Sequence, residues 1–270
     1  MNMMFIGDVV GSGGRRALLE WVPVLRRRHH VSLVIANAEN MAAGSGMTGA
    51  TVREISKVVD VVTAGDHVWD QKGFESEIRE LDNVVRPANY HGVQPGCGWK
   101  IFRNPSGGDY AVIVLQGQVF MRECSRNPFE AVTAVLNEIP VRIKTIFVDF
   151  HAEATSEKRA MGYFLEGRAT AVFGTHTHIQ TADEQVLPGG TAIIADVGMV
   201  GGRRSVLGRE VDAVLKKFTT GMPNRLPVVE SDIQLDAAIV TYDYMTGRAS
   251  GIQRISVTGT PPAEDAVELI

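Results

Sequence analysis

The sequence predicts an α/β protein with a largely parallel sheet and a second, partly antiparallel one. Three observations predict it. Short apolar runs recur and stop at small or polar residues. Helical periodicity fills the gaps between the first of these runs. Two later pairs of runs are separated by tight-turn residues.

The first run, Met3-Met4-Phe5-Ile6, leads to Gly7-Asp8; the second, Leu33-Val34-Ile35, leads to Asn37-Ala38-Glu39-Asn40. Between them, Leu18, Leu19, Val22 and Leu25 repeat at helical spacing within 15–28, with Pro23 as a place for a kink or a later true start. The basic cluster Arg26 to His30 fits the last helical turn, where cations oppose the dipole, better than it fits a nucleic-acid patch. Thr48 is placed to cap a helix over 50–58. A third strand over 59–62 then leads to Gly65-Asp66-His67. Strand, helix, strand, helix, strand argues for parallel crossovers.

The pattern resumes with a strand over 111–115 and a helix from Asn127-Pro128 to about Leu136, with proline in its first turn. Strands over 145–150 and 169–173 end at His151 and at Gly174-Thr175-His176-Thr177-His178. Residues 184–196 and 234–257 read as hairpins of the second sheet, turning at Pro188-Gly189-Gly190 and Met245-Thr246-Gly247. With no internal repeat and no linker, one domain over 1–257 is expected, followed by a loose tail over 258–270.

The 270 residues are 44% hydrophobic and 21% charged, within the ordinary globular range. A net charge of −4 without a basic stripe speaks against a duplex nucleic-acid partner. The start of the chain lacks a basic leader segment, and no apolar run approaches the ~20 residues of a membrane span. Cys97 and Cys124 form no metal or redox pair motif. These features together suggest a cytoplasmic protein.

Five strand ends carry groups that bind metals: Asp8; Glu39 with Asn40; Asp66 with His67; His151; and His176 with His178. Ligand sites in α/β sheets gather beyond the carboxyl ends of strands. Taken singly, each group has a plainer role. Asp8 or Asp66 could cap a helix, Glu39-Asn40 could be a turn, and a lone histidine is usually structural. His176 and His178 are harder to dismiss, because alternate residues of an extended segment point the same way. Four of the seven histidines fall at these strand ends. Imidazole suits zinc and iron and carboxylate suits harder ions, and there are enough donors for two ions. Gly44-Ser45-Gly46 could cradle a phosphate but reads first as a turn. Arg203 and Arg204 read as solvated loop residues, and His91 and Cys97 are not assigned to the site.

Read in order, Gly7-Asp8-Val9-Val10-Gly11, Asn37-Ala38-Glu39-Asn40, Gly65-Asp66-His67-Val68-Trp69-Asp70, the stretch from Asp149 to Lys158, Gly174-Thr175-His176-Thr177-His178 and Asp196-Val197-Gly198-Met199 resemble the calcineurin-like metallophosphoesterases, in particular their YmdB-type branch. The resemblance spans roughly residues 1 to 257. It implies a sandwich of two mixed β-sheets flanked by helices, a four-layer αββα fold. It also implies a dinuclear-metal phosphodiesterase for small phosphoesters such as 2′,3′-cyclic nucleotides, acting by attack of a metal-bridging hydroxide. Asp8, Glu39, Asn40 and His178 would hold the first ion. Asp66, His151 and His176 would hold the second, with Glu39 bridging. His67 would assist the leaving oxygen. The ions would be iron, with manganese or zinc as alternatives, and a homo-oligomer is permitted.

Two positions depart from the superfamily pattern. Val10 stands where a histidine ligand is usual, and Asn40 compensates in this branch. Asp66 stands where asparagine is usual, which adds negative charge at the second ion. Two other readings stay open: a different metal hydrolase of the amidohydrolase kind, disfavoured because its His-x-His pair comes early, and a regulatory protein that keeps metal for structure.

Overall fold

The structure is a computed structural model that describes residues 1–104, 107–121 and 126–262. Two mixed sheets stack face to face. The first holds β1 (Asn2–Ile6), β2 (Asp8–Val9), β3 (Val31–Asn37), β4 (Val61–Thr63), β5 (Val84–Val85), β12 (Met199–Gly202), β13 (Ile233–Asp243) and β14 (Arg248–Thr258). The second holds β6 (Trp99–Arg103), β7 (Asp109–Gln116), β8 (Thr145–His151), β9 (Ala171–Thr175), β10 (Gln185–Val186) and β11 (Ala192–Ile194). Within the first sheet β1, β3, β4 and β5 run parallel in that order; within the second, β7, β8, β9 and β11 do.

Both sheets are covered on both faces, which is why their strands read as continuous apolar runs instead of alternating ones. Met3, Phe5, Leu33 and Ile35 meet Val112, Phe147 and Phe173 between the sheets, and the rings of Phe5 and Phe173 stack at 4.4 Å. The opposite face of the first sheet packs Met4, Ile6, Val34 and Ala36 against α1 (Gly11–Arg28) and α2 (Gly49–Ile55). The outer face of the second packs Ile113, Ile146 and Val148 against α4 (Pro128–Glu138) and α5 (Thr155–Phe164). The layers are therefore helix, sheet, sheet, helix. Two further helices, α3 (Phe74–Glu77) and α6 (Val211–Thr220), lie in the connections after β4 and β12.

Local signals were reliable. Thr48 caps α2 in a reciprocal capping box, Asn127 caps α4, and α1 ends on Arg26, Arg27 and Arg28. Pro23 does not break α1, which begins earlier than its periodicity suggested, at Gly11. Gly13 and Gly14 in its first turn lie where a Cβ would strike Glu230 and Val200, so the close packing that excludes side chains there also erases the apolar signal. Both hairpins form, but they part company. The 185–194 hairpin edges the second sheet, whereas β13 and β14 join the first. Strand β13 is long enough to pair β12 through Ile233–Leu235 and β1 through Ala237–Thr241. No helix among the described residues is long and apolar enough to cross a membrane. Of the expected loose tail, β14 carries the chain through Thr258, and 263–270 lie outside the described residues, as does Cys124.

Candidate metal centre

Strand ends from both sheets converge at one end of the sandwich. Asp8 follows β1, Glu39 and Asn40 follow β3, and Asp66 and His67 follow β4. His151 ends β8, and His176 and His178 follow β9. The seven predicted donors come together, and His67 stands beside them. Nitrogen and oxygen atoms of Glu39, Asp66, His151 and His176 all lie within 4.8 Å of one another. His151 Nε2 is 2.9 Å from Asp66 Oδ1, 3.0 Å from Glu39 Oε1 and 3.1 Å from His176 Nδ1. On the other side of Glu39, His178 Nε2 lies 3.4 Å from the Asn40 amide and 3.8 Å from Asp8 Oδ1.

The strands deliver these groups by close backbone approach. A Cβ on Gly65 would sit 2.2 Å from the His151 ring, so only glycine lets the β4 end reach His151. His176 and His178 both take positive φ, 98° and 63°. The extended geometry expected for His-x-His is therefore replaced by two left-handed residues, a conformation costly for non-glycine side chains.

Buried polar networks hold the ligands. Asp149 accepts from Asn37 Nδ2 at 3.0 Å and from Thr175 Oγ1 at 2.7 Å, and Thr63 also donates to it. Thr175 Oγ1 lies 2.9 Å from His151 Nδ1, which leaves Nε2 facing the cluster. Such partners fix the ring and its tautomer in metal sites. Under the histidine loop, Lys158 Nζ, Thr177 N and Thr177 Oγ1 all donate to Asp196 Oδ2. Asp70 Oδ2 lies 2.8 Å from His67 Nδ1, with Ser45 Oγ 3.2 Å from the same nitrogen.

The donor chemistry fits cations. Asp8 and Glu39 are fully buried, and Asp8 Oδ1 has no hydrogen-bond partner. A buried carboxylate oxygen without a partner is costly unless a positive charge meets it. Burial, reinforced by the charges of Asp196 and Glu39, pushes the Asp8 carboxyl well above its ordinary range. Burial also opposes charge on His151, but Glu39, Asp66 and Asp8 outweigh it and raise its pKa well above normal. Without a cation, protons on the Asp8 carboxyl and on the buried His151 imidazole are what balance the charge of the cluster. A cation does this better. Burial lowers His178 to about 4, so that ring is neutral near pH 7, the form that binds metals.

Sequence reasoning placed Asn37, Asp149, Thr175, Lys158 and Asp196 within its motifs but gave them no role in supporting the ligands. One signal was present: Asp149 interrupts the apolar run Thr145–His151 two residues before His151, and the period of a strand puts both on one face. Ser45 of the glycine turn reaches His67. Arg203 pairs with Asp232 and stays solvated, and His91 and Cys97 are exposed.

Known proteins resemble this chain over nearly its whole length. A curated relative from Bacillus subtilis (strain 168), named 2′,3′-cyclic-nucleotide 2′-phosphodiesterase, is 42% identical over 95% of this chain and 97% of its own. Among solved structures, a hypothetical protein from Thermus thermophilus superposes with a TM-score of 0.89 at 36% identity, covering 97% of this chain and all of its own. A Mycoplasma pneumoniae phosphatase superposes with the same TM-score at 29% identity, over 97% of this chain and 95% of its own. The calcineurin-like phosphoesterase YfkN of Bacillus subtilis shares the fold, with a TM-score of 0.55 at 10% identity over 98% of this chain and 94% of its own. The family model for YmdB-like protein matches residues 4–255, and the chain belongs to that family.

Proposed function

We infer that the chain is a dinuclear-metal phosphodiesterase, a single catalytic domain over 1–257, whose substrates are small phosphate esters and foremost 2′,3′-cyclic nucleotides. The observation that carries this reading is the convergence of Asp8, Glu39, Asn40, Asp66, His151, His176 and His178 at one end of the sandwich, where Glu39, Asn40, His176 and His178 open onto a cavity. The name of the Bacillus subtilis relative supports the substrate.

Asp8, Asn40 and His178 would hold one ion, Asp66, His151 and His176 the other, and Glu39 would touch both. Asn40 would present its amide oxygen, which takes the place of the nitrogen when the amide is turned over. Iron is the expected ion, with manganese and zinc accepted by the same mix of imidazole and carboxylate. Bound there, the ions supply Lewis acidity to the phosphoryl oxygens and an acidified water.

The remaining chemistry belongs to the chain. Glu39 Oε2 accepts the His67 backbone N–H at 3.0 Å, which fixes the start of the His67 loop. Asp70 orients the His67 ring through Nδ1, leaving Nε2 to protonate the departing ribose oxygen. Water adds to phosphorus, the P–O bond to that oxygen breaks, and the cyclic ester opens to a nucleoside monophosphate. The protein works in the cytoplasm on this reading, without a duplex nucleic-acid partner, and a homo-oligomer is compatible with it.

Elemental analysis after gentle purification should approach two transition-metal ions per chain, and chelation should abolish turnover. Glu39→Ala should lose metal and turnover together, whereas His67→Ala should keep most of its metal and lose turnover. Metal content near zero, with no activity restored by iron, manganese or zinc, would overturn the reading.

A further inference from the structure

Four residues of the donor cluster line a cavity of about 410 Å³ whose two walls differ in chemistry. One carries Glu39, Asn40, Ser45, His67, His176 and His178. The facing wall is apolar, made by Val206, Leu207, Val214, Phe218 and Leu226. These residues come from the segment after β12, from α6 and from the chain beyond it. Hydrolysis of a phosphate ester does not by itself need such a wall. It needs one when the organic part of the ester is itself apolar.

The wall is unfinished. Helix α6 buries only Val214, while Phe218 is 75% exposed and Leu207 43%. Lys217 lines the same cavity from α6, and among the described residues no hydrogen bond or ion pair engages its ammonium. Arg209, also in the lining, is occupied: it donates to Leu226 O at 3.1 Å and to Gly44 O. It ties the two walls together and leaves Lys217 as the cation at the rim. The cavity volume falls in the range that encloses small ligands, and an aromatic ring next to a lysine offers a flat apolar group and an anion their partners together.

We propose that the α6 wall is a nucleobase subsite: Phe218 stacks on the base of the ester, Leu207 and Leu226 flank it, and Lys217 meets anionic charge at the rim. This rests on the phosphodiesterase reading and deepens it, since it makes the chain discriminate nucleotides from base-free cyclic esters. A second copy of the chain is the rival occupant of the exposed face of α6, which also carries Leu215 at 51% exposed. The cavity favours the base, because Phe218 lines it together with the phosphoester machinery and Leu215 does not.

The test compares adenosine 2′,3′-cyclic phosphate with glycerol 1,2-cyclic phosphate on the metal-loaded enzyme. It is accompanied by calorimetric titration with adenosine 3′-monophosphate and by solution mass from light scattering. Stacking of one base predicts that Phe218→Ala lowers the adenosine-to-glycerol ratio of kcat/KM by about 5- to 150-fold, mostly through KM, and weakens nucleotide binding to match. Phe218→Trp should restore both, and Leu215→Ala should change neither. If the parent binds adenosine 3′-monophosphate through Phe218 but hydrolyses neither ester, the subsite stands and the hydrolytic reading falls. If both esters turn over and Phe218→Ala leaves the ratio unmoved, the subsite falls and the hydrolytic reading stands. An unmoved ratio with a smaller solution mass would make the wall a subunit interface and likewise overturn the proposal.

Discussion

Thr177→Val isolates the device that holds two of the proposed ligands. His176 and His178, on either side of Thr177, adopt left-handed backbone with φ of 98° and 63°. Each such residue costs of order 1–3 kcal/mol unless its surroundings impose it. Asp196 does the imposing. Its Oδ2 accepts Thr177 N at 3.1 Å and Thr177 Oγ1 at 2.5 Å, and Lys158 Nζ, itself 3% exposed, holds it at 2.7 Å. Valine keeps the shape of threonine and deletes the hydroxyl. A hydrogen bond to a charged acceptor contributes about 1.5–3 kcal/mol, comparable with the strain of one left-handed residue. In the variant the loop can relax, and metal must then restore the strained form. Its dissociation constant should therefore rise by up to about 10- to 150-fold. Competition with a graded chelator measures this, and the melting temperature of the metal-stripped protein should fall little, because relief of strain offsets the lost bond. Thr177→Ser should recover the parent affinity. Equal metal affinity in the valine variant and the parent, or a serine variant as impaired as the valine one, would refute the reasoning.

Two further outcomes are expected. Gly65→Ala would set a methyl 2.2 Å from the His151 ring, well inside van der Waals contact, and His151 is pinned by Thr175. Shifting a ligand by about 1 Å costs on the order of 100-fold in rate, so turnover should fall at least that far with metal content reduced; parent-like kinetics would show that the ring has room to move. Glu230 caps the start of α1 from a distant loop, accepting from Ser12 Oγ and Gly13 N at 2.5 Å. Partial burial opposes its charge, but these donors hold its pKa below the ordinary value of 4.5. Its contribution is therefore present above that pH and lost as pH falls through the lower, folded-state pKa. Glu230→Gln should cost about 1 kcal/mol or less near pH 7, read as a small drop in melting temperature, and the gap to the parent should close on acidification. A gap independent of pH would mean that the carboxylate charge plays no part.

The sequence by itself determined the parts that depend on neighbours in the chain. The caps at Thr48 and Asn127, the basic end of α1, the buried strands and both turns are local events, legible from residue order. So were the eight polar groups at strand ends, because an apolar run that stops at aspartate, glutamate or histidine announces a change of environment. Helix α6 was legible but was not read: Val211, Val214, Leu215 and Phe218 repeat at helical spacing, although the fold buries only Val214 of them. Strand β12 was not legible, because it is a short glycine-rich segment that gains its partners from β2 and β13. Tertiary structure also decided which sheet takes the last hairpin: β13 pairs with β1, more than 230 residues away. Residue order does not encode a pairing at that separation. The same holds for Asp149, Asp196 and Lys158. Their side chains matter through residues they meet only once both sheets have stacked, and it is that stacking which turns separate strand ends into one site.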